Sequence, residues 1–351
     1  MLKSPYKILV VDDSSLIRQA IVSVINGNNQ LQVVGEASDG DEALALIPKL
    51  KPDVISLDVI MPRMSGLTTL KHIMIFYPTP VVMLSSVTHE GADITFDSLR
   101  YGAVDFITKP SKLENVSLER QTDEIVQKII TAAKVKTSAI QYVRVQPKLD
   151  KVKFLSSQCK KIVVFGVAEG GYGSLLKIIP RLKAQANTAY MVVFYQTSAH
   201  IDDFVQYLNR YSQVEVSRPE NNTKLKAGTC YISSGEEYVT VHDQQAEVIV
   251  HVSRAPFSSR RGSIDMLMFS VAETMVEKAL GVILTGTGTD GAEGLEEIIR
   301  VGGSAIIQSP VSCLYKSMVL SALNVCEAET VLADTEIAAY CNAWSIDTSQ
   351  G

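Results

Sequence analysis

Acidic, hydroxyl and lysine side chains follow the predicted strands in the N-terminal part of the chain. Asp12 and Asp13 come after the first strand, Asp58 ends the third, Ser85 ends the fourth, and Lys109 follows the fifth. Because the carboxyl ends of parallel strands open on one edge of a sheet, we expect these groups to meet there. Three gathered carboxylates repel one another and favour a hard divalent cation such as Mg²⁺, which prefers oxygen ligands. The pattern therefore predicts a Mg²⁺ site formed by Asp12, Asp13 and Asp58.

Asp58 is the candidate nucleophile of this pocket. A carboxylate can accept a phosphoryl group as an acyl phosphate, and Lys109 would pair with one phosphoryl oxygen while Ser85 bonds another. A single aspartate after a strand is most often a helix N-cap, but five residues of fitting type over four strand ends are poorly explained in that way. Pro110 restricts the loop that presents Lys109. We therefore predict phosphorylation at Asp58.

The same part of the chain alternates short β-rich runs with amphipathic stretches of helical length, which predicts a parallel sheet with helices on both faces. Five such units complete a flavodoxin-like, doubly wound α/β domain, which we place at residues 5–135. The expected strands are 8–11, 32–37, 54–58, 81–85 and 105–108, and the expected helices are 15–26, 39–49, 66–76, 88–101 and about 120–133.

Residues 136–160 are rich in Lys, Ser, Thr and Gln without a sustained apolar period, so we expect a linker there. A second doubly wound α/β domain is predicted over 161–345. Its expected strands are 162–166, 190–195, 280–284 and 304–308, its expected helices are 174–182, 203–210, 264–279 and one after Gly291, and segments 228–233, 237–242 and 246–252 are expected to form β-hairpins.

Composition restricts the class of protein. The chain of 351 residues is 46% hydrophobic and 20% charged, and its formal net charge of -5 disfavours a nucleic-acid-binding effector domain. It has no apolar run long enough to span a bilayer, and its first residues lack the apolar stretch of a secretory signal. Its five cysteines are far apart, as expected of reduced thiols. We therefore expect a cytoplasmic protein without membrane insertion.

Two glycine-rich turns in the second half of the chain follow predicted strands. The first, Gly166-Val-Ala168-Glu-Gly170-Gly171, has the strand–turn–helix pattern that exposes a nucleophile in hydrolases, but its central residue is alanine. The second contains Gly286-Thr-Gly288-Thr-Asp290-Gly291, and the segment Arg260-Arg261-Gly-Ser263-Ile-Asp265 precedes its strand. The spacing GxGxxG is absent after the first strand of either domain, so a nucleotide site is weakly supported.

The N-terminal motifs, from about Lys7 to Ala133, resemble the full set of a receiver domain. They are Val-Val-Asp12-Asp13, Leu-Asp58-Val-Ile-Met-Pro-Arg-Met-Ser-Gly, Met-Leu-Ser85-Ser and Phe106-Ile-Thr-Lys109-Pro110. The resemblance implies that Asp13, Asp58 and the main-chain carbonyl of Ile60 hold the metal, with Asp12 close by. It also implies that Phe106 rotates on phosphorylation together with a change at Ser85.

The glycine-rich turns of the second half, over residues 161–331, resemble the catalytic domain of CheB-type chemotaxis methylesterases. That family hydrolyses glutamyl methyl esters on chemoreceptors with a Ser-His-Asp triad. The resemblance implies that Ala168 stands at the serine position and Asp290 at the retained aspartate. It places Thr197 at the histidine position, unless His200, three residues later, substitutes after a loop shift. It also implies a chemotaxis-type sensor histidine kinase as partner, a chemoreceptor as candidate partner, and an intramolecular receiver–effector interface near Val104 and Phe106.

Loss of the serine or the histidine of such a triad costs about 10⁶ in turnover. We therefore predict a degenerate effector domain, a pseudoenzyme that acts by protein interaction. One alternative is an active methylesterase with a relocated nucleophile, such as Ser174 or Ser198 beside His200. Another is a decoy that binds methylated receptor helices without cleaving them.

Overall fold

The computed structural model describes residues 4–85, 89–109, 118–135, 158–254, 262–327 and 330–346. The chain divides into two compact units, Met1–Arg144 and Val145–Gly351. Pro110, Arg260, Arg261 and residues 136–157 of the expected linker lie outside the described residues. None of the helices in the described ranges is long and apolar enough to cross a membrane.

The first unit is a five-stranded parallel sheet in the order β2-β1-β3-β4-β5. Its strands are β1 (Tyr6–Val11), β2 (Leu31–Ala37), β3 (Val54–Asp58), β4 (Val81–Ser85) and β5 (Asp105–Thr108). Its helices are α1 (Ser15–Asn26), α2 (Gly40–Leu50), α3 (Gly66–Phe76), α4 (His89–Arg100) and α5 (Leu118–Ala133). The predicted doubly wound fold of this unit is confirmed, and the last three strands have the predicted bounds.

Local chemistry explains where the helices of this unit begin. The side chains of Ser14, Asp39 and Ser65 each accept a hydrogen bond from a backbone N–H in the first turn of the helix that follows. Strands β3 and β4 are buried along their whole length, as expected for central strands covered on both faces. The carboxyl ends of β1, β3, β4 and β5 therefore open on the same edge of a rigid sheet.

The second unit contains a seven-stranded parallel sheet in the order β15-β14-β13-β6-β7-β10-β8 and a three-stranded antiparallel sheet in the order β11-β12-β9. The strands are β6 (Lys161–Val167), β7 (Thr188–Phe194), β8 (Glu215–Ser217), β9 (Thr223–Lys224), β10 (Thr229–Ser234), β11 (Glu237–Gln244), β12 (Glu247–Arg254), β13 (Ala279–Ile283), β14 (Ser304–Gln308) and β15 (Val331–Leu332). The helices are α6 (Gly171–Ile178), α7 (Ser198–Tyr211), α8 (Ser263–Met275), α9 (Ala292–Arg300), α10 (Ser317–Val325) and α11 (Asp334–Trp344). The predicted second α/β domain is confirmed.

The predicted β-rich middle is right in part. Strands β11 and β12 form the expected antiparallel hairpin. The prediction that residues 228–233 also belong to a hairpin is wrong, because β10 lies in the main sheet and pairs in parallel with β7 and β8. All six residues of β10 are buried, which suits a strand covered on both faces and not a hairpin with one wet face.

Several short or amphipathic elements were not predicted from the sequence: β8, β9, β15, α10 and α11. Helix α6 begins three residues earlier than expected, at Gly171, because its first turn holds two glycines that weaken the helical signal. Gln158 bridges to Lys226, and the N–H of Lys160 donates to the carbonyl of Asn187. The last residues of the expected linker therefore pack on the second unit.

An ion pair ties α11 to α6 and can be tested by mutation. Lys177 Nζ lies 2.8 Å from Asp334 Oδ2, and the Asp334 side chain is only 6% exposed. We expect Asp334→Ala to lower the free energy of unfolding of this domain by about 2–3 kcal/mol, because a half-buried ammonium loses its partner. Urea unfolding followed by the fluorescence of Trp344, the single tryptophan, measures this.

The matched control removes an exposed pair from the same domain. Lys224 and Glu247 are 45% and 48% exposed, so Glu247→Ala should change the free energy of unfolding by less than about 0.5 kcal/mol. Equal effects of the two substitutions would contradict the assigned role of Asp334.

Candidate functional site

The carboxylates predicted to gather at the edge of the first sheet do so. One oxygen each from Asp12, Asp13 and Asp58 lies within 4.8 Å of the others. Asp12 is 0% and Asp58 is 2% exposed, whereas Asp13 is exposed. Two buried carboxylates and one exposed carboxylate thus line a pocket that opens to solvent on one side.

Lys109 lies between the two buried carboxylates. Its Nζ is 3.0 Å from Asp12 Oδ2 and 2.7 Å from Asp58 Oδ2. Burial raises the pKa of Asp58, and the negative charge of Asp12 adds to this while Lys109 opposes it. Burial lowers the pKa of Lys109, but its bonds to Asp58 and Asp12 more than offset this and leave that pKa raised. The ammonium therefore stays charged and holds the nucleophile candidate in place.

Backbone groups fix the orientation of both buried carboxylates. The N–H of Ser14 donates to Asp12 Oδ1 at 2.9 Å, and the N–H of Ile60 donates to Asp58 Oδ1 at 3.3 Å. Gly66 crosses directly behind the loop, where a Cβ would stand 1.9 Å from the carbonyl oxygen of Asp58. Only glycine fits there, a requirement that was not predicted from the sequence although Gly66 ends the motif that follows Asp58.

Ser85 and Phe106 both contact α4. The hydroxyls of Ser85 and Thr95 are 2.8 Å apart. The ring of Phe106, which is buried, meets Phe96 edge to face at a centroid distance of 6.4 Å. Lys128 donates to the carbonyl of Phe106 at 2.7 Å. The hydroxyl and the aromatic predicted to act together therefore touch neighbouring residues of one helix.

The donor set of this pocket suits a hard cation. Three carboxylates face one ammonium, so the cluster of Asp12, Asp13, Asp58 and Lys109 has a net negative charge when all four groups are ionised. Oxygen ligands at this density match Mg²⁺, which keeps several of its waters.

The second candidate site lies at the carboxyl edge of the seven-stranded sheet. The chain leaves β6 at Val167, turns through Ala168 and Glu169, and enters α6 after Gly170, whose φ is +76°. This is the strand–turn–helix geometry of a nucleophile elbow. Ala168 is 0% exposed, and its N–H donates to the carbonyl of Thr285 at 3.1 Å. The elbow is formed, and its central side chain carries no oxygen.

Asp290 lies in the loop between β13 and α9, and its carboxylate contacts the N-terminus of α8. Its two carboxylate oxygens accept the N–H groups of Ile264 at 3.0 Å and Asp265 at 3.1 Å. The hydroxyl of Tyr195 donates a hydrogen bond to the same carboxylate. The positive end of the α8 dipole and these three donors stabilise the negative charge of Asp290.

Asp265 is a second acid in this cluster, and no functional role was predicted for it from the sequence. Its Oδ1 accepts the N–H of Gly294 at 2.7 Å. Burial raises the pKa of Asp265 to about 7, and the neighbouring carboxylate of Asp290 contributes to the rise. Asp265 is therefore protonated in mildly acidic solution.

The residues considered at the positions of the missing nucleophile and base, or as replacements for them, make separate contacts. Of the residues that follow β7, the structure places Tyr195 against Asp290, whereas Thr197 is exposed at the start of α7. The hydroxyl of Ser174 is buried and bonds Gln308 at 3.4 Å. That of Ser198 bonds Glu236 at 3.2 Å.

The raised pKa of Asp265 gives a prediction for stability against pH. The native state holds this proton up to about pH 7, while the unfolded chain releases it near 3.8, so between these values the unfolded state binds fewer protons and stability falls as pH rises. Asp265→Asn cannot ionise and should stabilise the domain by about 1–2 kcal/mol more at pH 8 than at pH 5.

Urea unfolding monitored by Trp344 at both pH values measures this difference. Glu273→Gln, an exposed substitution on the same helix, is the matched control and should shift stability equally at the two pH values. If the free energy of unfolding depends on pH in the same way in the wild-type chain and in the Asp265→Asn variant, the raised pKa assigned to Asp265 is ruled out.

Comparisons with known proteins identify the family of each of the two units. Residues 8–119 match the family model of the response regulator receiver domain, and residues 163–341 match that of the CheB methylesterase. The protein-glutamate methylesterase/protein-glutamine glutaminase of Pyrococcus horikoshii is 36% identical over 323 residues, which cover 90% of this chain and 87% of the relative. The protein of the same name from Archaeoglobus fulgidus is 37% identical over 340 residues, 95% of this chain and 96% of the relative.

A solved structure supports the fold of the second unit. The CheB methylesterase catalytic domain of Thermotoga maritima is 27% identical, with a TM-score of 0.50 over 52% of this chain and 97% of that domain. The chain therefore belongs to the CheB family, in which a response-regulator receiver domain is joined to a methylesterase domain.

Proposed function

We propose that this chain is a chemotaxis-type response regulator that is phosphorylated on Asp58 and whose methylesterase domain has lost its esterase activity and acts through protein interaction. The observation that carries the proposal is the contrast between the two sites. The first holds a buried carboxylate nucleophile beside an ammonium, and the second has a methyl group where the attacking oxygen would be.

The first site suits phosphoryl transfer from a histidine kinase. An oxygen of Asp58 would attack phosphorus, a P–O bond would form, and the P–N bond to the donor imidazole would break as the imidazole takes the electron pair and a proton. Lys109 lies 2.7 Å from Asp58 Oδ2. After the transfer, its ammonium would pair with a phosphoryl oxygen.

Mg²⁺ fits the proposed reaction. Asp12, Asp13 and Asp58 would hold it, together with the main-chain carbonyl of Ile60 as the family resemblance implies. Bound there, the cation would neutralise charge on the phosphoryl group as it is transferred. The role of this chain is to hold the carboxylates together and to keep Asp58 oriented through the N–H of Ile60.

Helix α4 is proposed to be the first element that responds to phosphorylation of Asp58. A phosphoryl oxygen on Asp58 would compete with Thr95 for the hydroxyl of Ser85, and Phe106 packs on the next residue of the same helix, Phe96. Withdrawing Ser85 from Thr95 and rotating Phe106 would change the two contacts of α4 together. This supports the coupling between phosphorylation and the face formed by α4 and β5.

The proposed loss of esterase activity is supported by the groups around Ala168 and Asp290. The methyl of Ala168 cannot attack an ester, and the hydroxyls of Ser174 and Ser198 are bonded to Gln308 and Glu236. The curated relatives are named for methylesterase and glutaminase activity, so a chemoreceptor remains the proposed binding partner and a histidine kinase the proposed phosphodonor.

Phosphorylation gives the first test of this proposal. With a ³²P-labelled kinase or acetyl phosphate and Mg²⁺, the wild-type chain should take up one acid-stable, base-labile label, and Asp58→Asn should reduce the label to background because the nucleophile is absent. Asp13→Asn should raise the Mg²⁺ concentration required. The control Asp41→Asn, an exposed acid on α2, should label normally, and full labelling of Asp58→Asn would refute the assignment.

Methanol release gives the second test. Methylated chemoreceptor incubated with the full chain should release methanol at the background rate, with and without phosphodonor, since loss of a triad serine or histidine costs about 10⁶ in turnover. An intact relative from the same family serves as the positive control. A rate comparable to that of the relative would show that another nucleophile acts.

A further inference from the structure

Ala168 and Tyr195 occupy equivalent places on neighbouring strands. Strands β6 and β7 pair in parallel, with Val167 opposite Phe194 as the last pair. Ala168 and Tyr195 are the next residues of the two strands, and the N–H of Tyr195 donates to the carbonyl of Val167 at 3.0 Å. The elbow position and Tyr195 therefore lie side by side at the edge of the sheet where Asp290 arrives.

Tyr195 is held firmly in this place. Its hydroxyl donates to Asp290 and accepts the N–H of Ser263 at 3.3 Å. Its ring lies on the backbone of Gly235, where a Cβ would stand 1.7 Å from Tyr195 Cδ1. The side chain is only 6% exposed, so both its apolar and its polar ends are in contact with the protein.

In a Ser-His-Asp triad, the aspartate accepts a hydrogen bond from the base and the base lies beside the nucleophile. Here the side chain that donates to Asp290 and lies beside Ala168 is Tyr195, whereas Thr197 is exposed two residues later. We infer that Tyr195, and not Thr197, occupies the position of the lost general base. Its hydroxyl holds the carboxylate of Asp290 in place. This inference rests on the proposed loss of esterase activity and revises the residue predicted from the sequence.

A phenol in this position serves structure and not catalysis. Burial raises the pKa of Tyr195 above its usual value, and the negative charge of Asp290 adds to the rise. The hydroxyl therefore keeps its proton at neutral pH and remains a donor, so it cannot accept a proton from a nucleophile. Asp290 in turn remains satisfied without a histidine.

The deciding test places a histidine at each of the two positions in the full chain and follows its titration by NMR. The chain has five histidines, so the introduced imidazole is identified as the additional signal. In Tyr195→His its pKa should be raised by about one unit above the usual ~6.5, because Asp290 accepts its N–H, and Asp290→Asn should abolish the rise. In Thr197→His, the matched control, the pKa should be ordinary and insensitive to Asp290→Asn.

An ordinary pKa in Tyr195→His, or a rise that depends on Asp290 in Thr197→His, would overturn the inference. These outcomes are separable from failure of the proposed function, because methanol release by the wild-type chain would refute the proposed loss of activity without altering which imidazole senses Asp290.

A second readout compares two double variants with a fluorophosphonate probe that forms a covalent bond to activated serines. Ala168→Ser with Tyr195→His should react about 10²-fold faster than Ala168→Ser alone, the low end of what a positioned general base contributes. Ala168→Ser with Thr197→His should react no faster than Ala168→Ser. The reverse ranking would overturn the assignment of Tyr195.

Discussion

The cost of removing a carboxylate from water at the carboxyl edge of a parallel sheet governs both domains. Such a carboxylate loses contact with water on several sides. It is stable as an anion only beside a cation or several N–H and O–H donors. In the receiver, Lys109 supplies the cation for Asp12 and Asp58. In the second domain, backbone N–H groups at the start of α8 and the hydroxyl of Tyr195 supply the donors for Asp290.

The two sites differ in their net charge. Around Asp58, one ammonium faces three carboxylates, an excess of negative charge that suits the divalent cation of the proposed function. Around Asp290, the donors are neutral and the nearby Asp265 can retain a proton to about pH 7. The first pocket is therefore electrostatically incomplete without a ligand, whereas the second is satisfied by the protein itself.

The gathering of Asp12, Asp13, Asp58 and Lys109 could be predicted from the sequence, because each group lies at or just after the end of a short apolar strand and parallel strands deliver such groups to one edge. Prediction was weaker where tertiary context decides. Strand β10 has the composition of a hairpin strand, yet it is buried between β7 and β8. Gly66 is required by the carbonyl of Asp58 across a turn, a contact that no local pattern reveals.

The position of the lost general base shows the same limit of prediction from sequence, here for a single residue. Counting along the chain from a family motif places the base at Thr197, whereas the register of β6 and β7 places Tyr195 beside Ala168. A shift of two residues preserves which face of an extended segment a side chain occupies, so spacing alone does not separate the two positions. The partner of Asp290 separates the two positions, since the half-buried carboxylate is bonded to the side chain whose donor reaches it, which is Tyr195.

Asp290 has a structural role that does not depend on a serine at position 168 or a histidine at position 195. Its carboxylate caps the first turn of α8 and joins that helix to the end of β7 through Tyr195. Replacing a histidine by a tyrosine leaves a donor on this carboxylate and a flat ring against Gly235. Such an exchange would remove proton transfer while preserving the hydrogen bond, so under the proposed function the scaffold would stay intact as a binding surface.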